Sequence, residues 1–179
     1  MEALPREFEL EGGRKVSLRA VAPEDEEFLL AVYASTREAE LSQVEWGEGQ
    51  REAFLRGQYE AQRGQYEARF PDAEYDVILL DGQPVGRIWI GRAPEQIRLL
   101  DIALLPAAQN RGVGTALLRA LIEEARSSRK KLRHMVFVLN PDATRFYERL
   151  GFVPIEEFGA YVHMEWRDGS DEPGVESAE

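Results

Sequence analysis

Leu99-Leu100-Asp101-Ile102-Ala103-Leu104-Leu105-Pro106-Ala107-Ala108-Gln109-Asn110-Arg111-Gly112-Val113-Gly114-Thr115-Ala116-Leu117-Leu118 runs from an apolar strand-like segment, through a turn with two close glycines, into a helical pattern without a break. A helix start leaves its first backbone N–H groups without intrahelical partners, and the aligned peptide dipoles add partial positive charge there. Glycine at 112 and 114 removes side chains that would hold a phosphate away from those donors. The segment therefore suits a pyrophosphate. A P-loop requires Gly-Lys-Ser/Thr at such a turn, whereas Gly114 is followed here by Thr115 and Ala116. A dinucleotide-binding turn requires a third glycine three residues after Gly114, and position 117 is leucine. Taken alone, the glycine pair fits equally well a plain strand-to-helix connection.

Gln109-Asn110-Arg111-Gly112-Val113-Gly114 resembles the acyl-CoA pyrophosphate loop of the GCN5-related N-acetyltransferases (GNAT), whose pattern is Gln/Arg-x-x-Gly-x-Gly/Ala. After a spacing that suits one helix and one strand, Asn140-Pro141-Asp142-Ala143-Thr144-Arg145-Phe146-Tyr147 and Gly151-Phe152 resemble the late helix of the same family, Asn-x-x-Ala-x-x-x-Tyr followed by Gly-Phe. The resemblance spans residues 15 to 166 and is sharpest from Leu99 to Phe152. It implies an α/β domain with a central mixed, mostly antiparallel sheet, splayed between its fourth and fifth strands, with helices on both faces. The gap is expected between Leu99–Leu105 and Leu132–Leu139, where free backbone groups can pair with an extended pantetheine arm like an added strand.

Composition bounds the remaining possibilities. The chain has 179 residues, enough for one domain with a proper core, and no apolar run long enough to cross a bilayer. Met1 to Glu7 is acidic where a signal peptide is basic, so a cytoplasmic location is expected. Absence of cysteine excludes disulfides, thiolate metal sites and an acyl-cysteine intermediate. His134 and His163, the only histidines, read as structural or surface residues, and no metal is expected. A net charge of −11 argues against nucleic acid and mildly favours a cationic partner.

The chain divides into an N-terminal extension (1–14), a GNAT-like domain (15–167) and an acidic tail poor in apolar residues (168–179), expected to be disordered. Within the domain, Val16 to Ala20 alternates as a strand, and helices are expected from Pro23 and over Arg51 to Phe70. Between them, Glu45 to Gln50 forms a loop able to cover a cleft or simply to stay solvated. Tyr75 to Leu80 and Pro84 to Gly91 form a hairpin on Asp81-Gly82, and Ile97 to Leu105 adds a strand. Gly112 to Arg129 is helical, Leu132 to Leu139 a central strand, and Pro141 opens a helix that ends at Gly151. Phe152 to Phe158 and Tyr161 to Trp166 close the sheet as an antiparallel pair.

The resemblance implies acetyl transfer from acetyl-CoA to an amine acceptor, either a small molecule or a protein amino group. Backbone at Ile102 and Leu104 lies along pantetheine, with the Leu104 N–H facing the thioester carbonyl. Gln109, Asn110, Arg111, Gly112, Val113, Gly114 and Thr115 hold the pyrophosphate. Asn140 and Ala143 precede Tyr147, the phenol that matches a general acid, and Asn140 either contacts the cofactor or caps its helix. Asp101 is the candidate base, or it pairs with an arginine. Where some family members carry a glutamate deeper in this strand, this chain has Arg98, so that assignment does not transfer. Glu45 and Glu48 stand as candidates for meeting a cationic acceptor. With no cysteine or activated serine for a covalent route, direct transfer in a ternary complex is expected. The alternative is a non-catalytic acyl-CoA sensor of the same fold, and a homodimer paired through the C-terminal strands suits either.

Overall fold

A computed structural model describes residues 4–169. Eight strands form one sheet: β1 (Glu7–Glu9), β2 (Lys15–Ala20), β3 (Glu74–Leu80), β4 (Gln83–Arg92), β5 (Gln96–Leu104), β6 (Lys131–Phe137), β7 (Phe152–Phe158) and β8 (Tyr161–Trp166). Their order is β1-β2-β3-β4-β5-β6-β8-β7, antiparallel throughout except for β5 with β6. Helices α1 (Glu26–Leu41) and α2 (Gln50–Arg69) pack on one face, α3 (Val113–Ser128) and α4 (Pro141–Arg149) on the other. Strand alternation assigns the two cores: Ile88 and Ile90 join the α3 side, and Trp89 between them packs with Leu29, Tyr33 and Tyr59 under α1 and α2.

The expected splay falls between β5 and β6, the fourth and fifth strands of the domain counted from β2. The parallel ladder ends at Leu99 opposite His134. At the same level β5 bulges: Trp89 pairs with Asp101 but Ile90 with Leu99, so Leu100 is an extra residue. The bulge shifts the alternation, so Arg98, Leu100 and Asp101 all serve the α1/α2 face. Gly86 lies opposite Leu104 because a Cβ there would sit 2.2 Å from the carbonyl oxygen of Ala103.

Two boundaries differ from expectation. Strand β6 stops at Phe137, and Leu139, 77% exposed, belongs to the turn into α4. The segment read as an N-terminal extension joins the sheet: β1 pairs with β2, Leu4 is buried, and Arg6 grips Asp76 through two hydrogen bonds of 2.7 and 2.8 Å. Glu-Phe-Glu is too short a strand to show a period, so only its tertiary partners reveal it. Of the tail expected to be disordered, residues 170–179 lie outside the described residues; Asp168 meets Arg126 at 3.3 Å.

The turn into α1 carries a pH-dependent clamp. Buried Asp25 accepts two 2.7 Å hydrogen bonds from Arg19 and one of 2.8 Å from the Ala22 N–H. Arg19 chiefly, with help from the Ala22 N–H, holds this carboxyl below its ordinary value despite desolvation. A carboxyl depressed in the folded state stabilises the fold above its unfolded pKa, and the benefit disappears as pH falls through the folded value. Asp25→Asn is therefore expected to lower stability at neutral pH and to flatten the decline below about pH 4. Urea midpoints across that window, equal in slope for parent and variant, would contradict it.

Candidate active site

Backbone directions are set by the ladder. In an antiparallel pair, the N–H and C=O of one residue point to the same neighbour, and successive residues alternate. The Leu105 N–H donates to the Val85 carbonyl at 2.8 Å, so Leu104 and Ile102 turn theirs away from β4, into the gap that β6 has left. Where the ladder breaks, side chains satisfy the carbonyls. His134 Nδ1 donates to Leu99 O at 2.8 Å, and Tyr66 Oη donates to Leu100 O at 3.0 Å. Burial pushes the Tyr66 phenol up to about 12, which secures that donor. At the far end, Gln109 Nε2 donates to Leu104 O at 3.0 Å, so this side chain turns back toward β5.

The strand leads to the start of α3. Asn110 and Gly112 both adopt positive φ, +58° and +82°, and the first backbone bond of the helix runs from Ala116 N–H to Gly112 O. The N–H groups of Val113, Gly114 and Thr115 have no acceptor among the described residues. A Cβ at Gly112 would meet nothing within 4 Å, whereas one at Gly114 would touch Phe146 and Leu104 at ordinary distances of 3.7 and 3.9 Å. Gly112 is thus demanded by its backbone conformation, with open space above it. Arg111 is exposed and free of carboxylates among the described residues.

On α4, Asn140 caps the helix, its Oδ1 accepting from the Ala143 N–H at 3.1 Å. That places Tyr147 one turn further, 4% exposed, with its ring centroid 4.6 Å from His134, 5.2 Å from Phe146 and 5.4 Å from Phe152. Its hydroxyl has no hydrogen-bond partner among the described residues. Burial first, and the charge of Asp101 second, raise its pKa well above the ordinary phenol value.

Asp101 is half-buried and engaged. Arg87 Nε donates to its Oδ2 at 2.6 Å, and Arg87 Nη2 donates to Gln62 Oε1 at 3.1 Å. The Arg87 guanidinium lies 4.3 Å from the Trp89 ring centroid and 5.8 Å from those of Tyr33 and Tyr59, an aromatic box that offsets part of its desolvation. Sequence reasoning missed Arg87 and the role of His134. A lone charge inside Gly86-Arg87-Ile88-Trp89-Ile90 was a signal for the first; nothing local marked the second. Glu45 and Glu48 lie on the α1–α2 loop, away from any ion pair among the described residues.

The sheet opens beside a bulged strand whose free edge runs to a glycine-led helix start. The chain belongs to the acetyltransferase (GNAT) family, whose model matches residues 34–152. An uncharacterized N-acetyltransferase of Methanocaldococcus jannaschii is 32% identical over 96 residues, 49% of this chain and 42% of that protein. The uncharacterized N-acetyltransferase CgeE of Bacillus subtilis is 26% identical over 105 residues, 53% of this chain and 40% of that one. The chain thus spans less than half the length of these curated relatives. Among solved structures, the PaiA N-acetyltransferase of Thermoplasma acidophilum, in complex with coenzyme A, superposes with a TM-score of 0.63 at 20% identity over 86% of this chain and 99% of that one. An acetyltransferase of Thermus thermophilus gives 0.61 at 21% identity, covering 84% and 95%.

Proposed function

We propose that this chain is an acetyl-CoA-dependent N-acetyltransferase that transfers acetyl directly to an amine held in the same complex. The observation that carries the reading is the pair of free backbone stretches that face one side: Ile102 and the Leu104 N–H, turned away from β4, and the three free N–H groups at the start of α3. Those groups fit coenzyme A: the strand edge pairs an amide-bearing arm, and the helix start takes a pyrophosphate. Gln109, Asn110 and Arg111 border that helix start, and Thr115 closes its first turn. Bound acetyl-CoA supplies an activated thioester.

The residues of the chain supply the rest. The Leu104 N–H faces the gap as a donor for a carbonyl oxygen that gains charge. Tyr147 keeps its proton at neutral pH, ready for a departing sulfur. Asp101, tied through Oδ2, retains Oδ1 for the proton an ammonium must lose before its nitrogen attacks. The new C–N bond replaces the C–S bond: Asp101 takes the first proton of the ammonium, the departing thiolate takes the Tyr147 proton, and the second proton of the attacking nitrogen restores Tyr147, leaving an amide, a thiol and one proton on Asp101 for solvent. No helix of the described residues is long and apolar enough to cross a membrane.

Calorimetric titration with acetyl-CoA tests the reading, alongside Gly112→Trp. A non-glycine residue at this φ costs roughly 1–2 kcal/mol, and the indole fills the open space above the helix start. The parent should bind, and the variant should bind at least about tenfold more weakly while circular dichroism shows α3 intact. Absence of binding by the parent, freed of any copurified ligand, would reduce the likeness to one of fold.

A further inference from the structure

Acids outnumber bases in this chain, 33 to 22, and almost every shielded cation has found one. Among the described residues, each arginine that is not fully exposed has a carboxylate within 4.0 Å, with one exception. That exception is Arg98 on β5. Its Nη2 donates to His163 Nε2 at 2.8 Å, and a guanidinium can only donate, so this imidazole nitrogen must be bare. Burial and Arg98 itself depress the pKa of His163, so the partner is neutral and compensates no charge. Desolvation first, then Arg69 and Arg133, work against the charge of Arg98, and Tyr66 offsets only part of this. Arg133 is neutralised by Glu165 at 2.8 Å. Arg69 is not, and the two unpaired guanidinium groups flank the same ring, 5.9 and 5.8 Å from the centroid of Phe70.

Arg98, Arg69 and Phe70 line a cavity of about 170 Å³ between the end of α2 and the β4–β5 turn, with Gln96 and the exposed Asp72 on its wall. Asp72 pairs with neither arginine within salt-bridge distance. The cavity lies on the α1/α2 face, the side to which the Leu100 bulge also brings Asp101, three residues along the strand. Three residues of strand span about 10 Å.

We propose that Arg98, with Arg69, receives an anionic group of the amine acceptor, a carboxylate or a phosphate, carried about 10 Å from the reacting nitrogen. This rests on the transferase reading for the identity of the ligand, though not for the existence of the anion site. The overall negative charge does not oppose it, because at physiological ionic strength charges beyond about 8 Å are largely screened. A bidentate guanidinium contact supplies the geometry as well as the attraction.

The test is calorimetry with 6-aminohexanoate, 6-aminohexyl phosphate and hexylamine on the parent, Arg98→Gln and Arg69→Gln, with melting temperatures in parallel. An anionic amine should bind the parent at least about tenfold more tightly than hexylamine, and Arg98→Gln should abolish that preference. Whichever anionic probe binds more tightly identifies the group. Because Arg98 is desolvated and has no carboxylate partner, Arg98→Gln, which can still donate to His163, should melt within a few degrees of the parent. Exposed Arg69→Gln should weaken the preference without risk to the fold. Equal binding of all three probes by the parent, or a preference that survives in both variants, overturns the site. A preference dependent on Arg98 without acetylation of any amine keeps the site and removes the transferase; acetylation without the preference does the reverse.

Discussion

Tyr147→Phe is expected to reduce the rate of acetyl transfer by about 10²-fold or more, the usual scale for losing a positioned proton donor, and to leave acetyl-CoA affinity unchanged. The substitution separates chemistry from folding unusually well. Phenylalanine retains the ring packed against His134, Phe146 and Phe152, and the lost hydroxyl has no hydrogen-bond partner to strand among the described residues. The melting temperature should therefore hold. Because burial and the charge of Asp101 both raise this phenol, it stays protonated across the neutral range, and the parent should show no loss of rate from Tyr147 ionising below about pH 10. Steady-state rates read by free-thiol release, with calorimetric affinity on the same preparations, decide the matter. Unchanged turnover would remove Tyr147 from the chemistry, and a parent that binds acetyl-CoA yet acetylates no amine would favour a sensor.

Much of this site was legible because its informative features are local. The path from Leu99 through Gly112 to Leu118, and Asn140 to Tyr147, each combine a period with a cap, so helix starts and their free N–H groups follow from the chain itself. What escaped depends on partners distant in sequence. Leu99 and Leu100 are both apolar, so the extra residue that bulges β5 leaves no trace in the hydrophobic pattern; it becomes visible only when Trp89 and Ile90 are found opposite Asp101 and Leu99. Pairing with an arginine is one of the roles the sequence offers Asp101, but the choice of Arg87 needs the strand register. His134 looked like an ordinary strand residue, because its task exists only where β6 diverges and exposes Leu99 O. Arg98 shows the limit most clearly. Its lack of a carboxylate is a property of the whole surrounding surface, and no stretch of sequence can display it.

The same reasoning applied to a buried acid predicts a large stability effect. Glu124 on α3 is 6% exposed and accepts from the Leu4 N–H at 2.9 Å, from Arg92 Nε at 2.7 Å and from Arg92 Nη2 at 2.9 Å. Glu124→Ala should destabilise the protein by about 3 kcal/mol, because breaking a buried pair from one side leaves the other charge uncompensated. Arg92 keeps Glu74 at 2.8 Å, which holds the loss to the lower part of the usual range, while the Leu4 N–H is left without its acceptor. Glu124→Gln, which can still accept from Leu4 but carries no charge, should fall between parent and alanine. Urea denaturation gives the free energies, and limited proteolysis should show the segment around β1 becoming accessible first. Acetyl-CoA affinity under native conditions should not change, since Glu124 lies about 18 Å along α3 from Gly112. An alanine variant as stable as the parent would mean that Leu4 and Arg92 find other partners, and that this carboxylate is not what binds the N-terminal segment to the α3 face of the sheet.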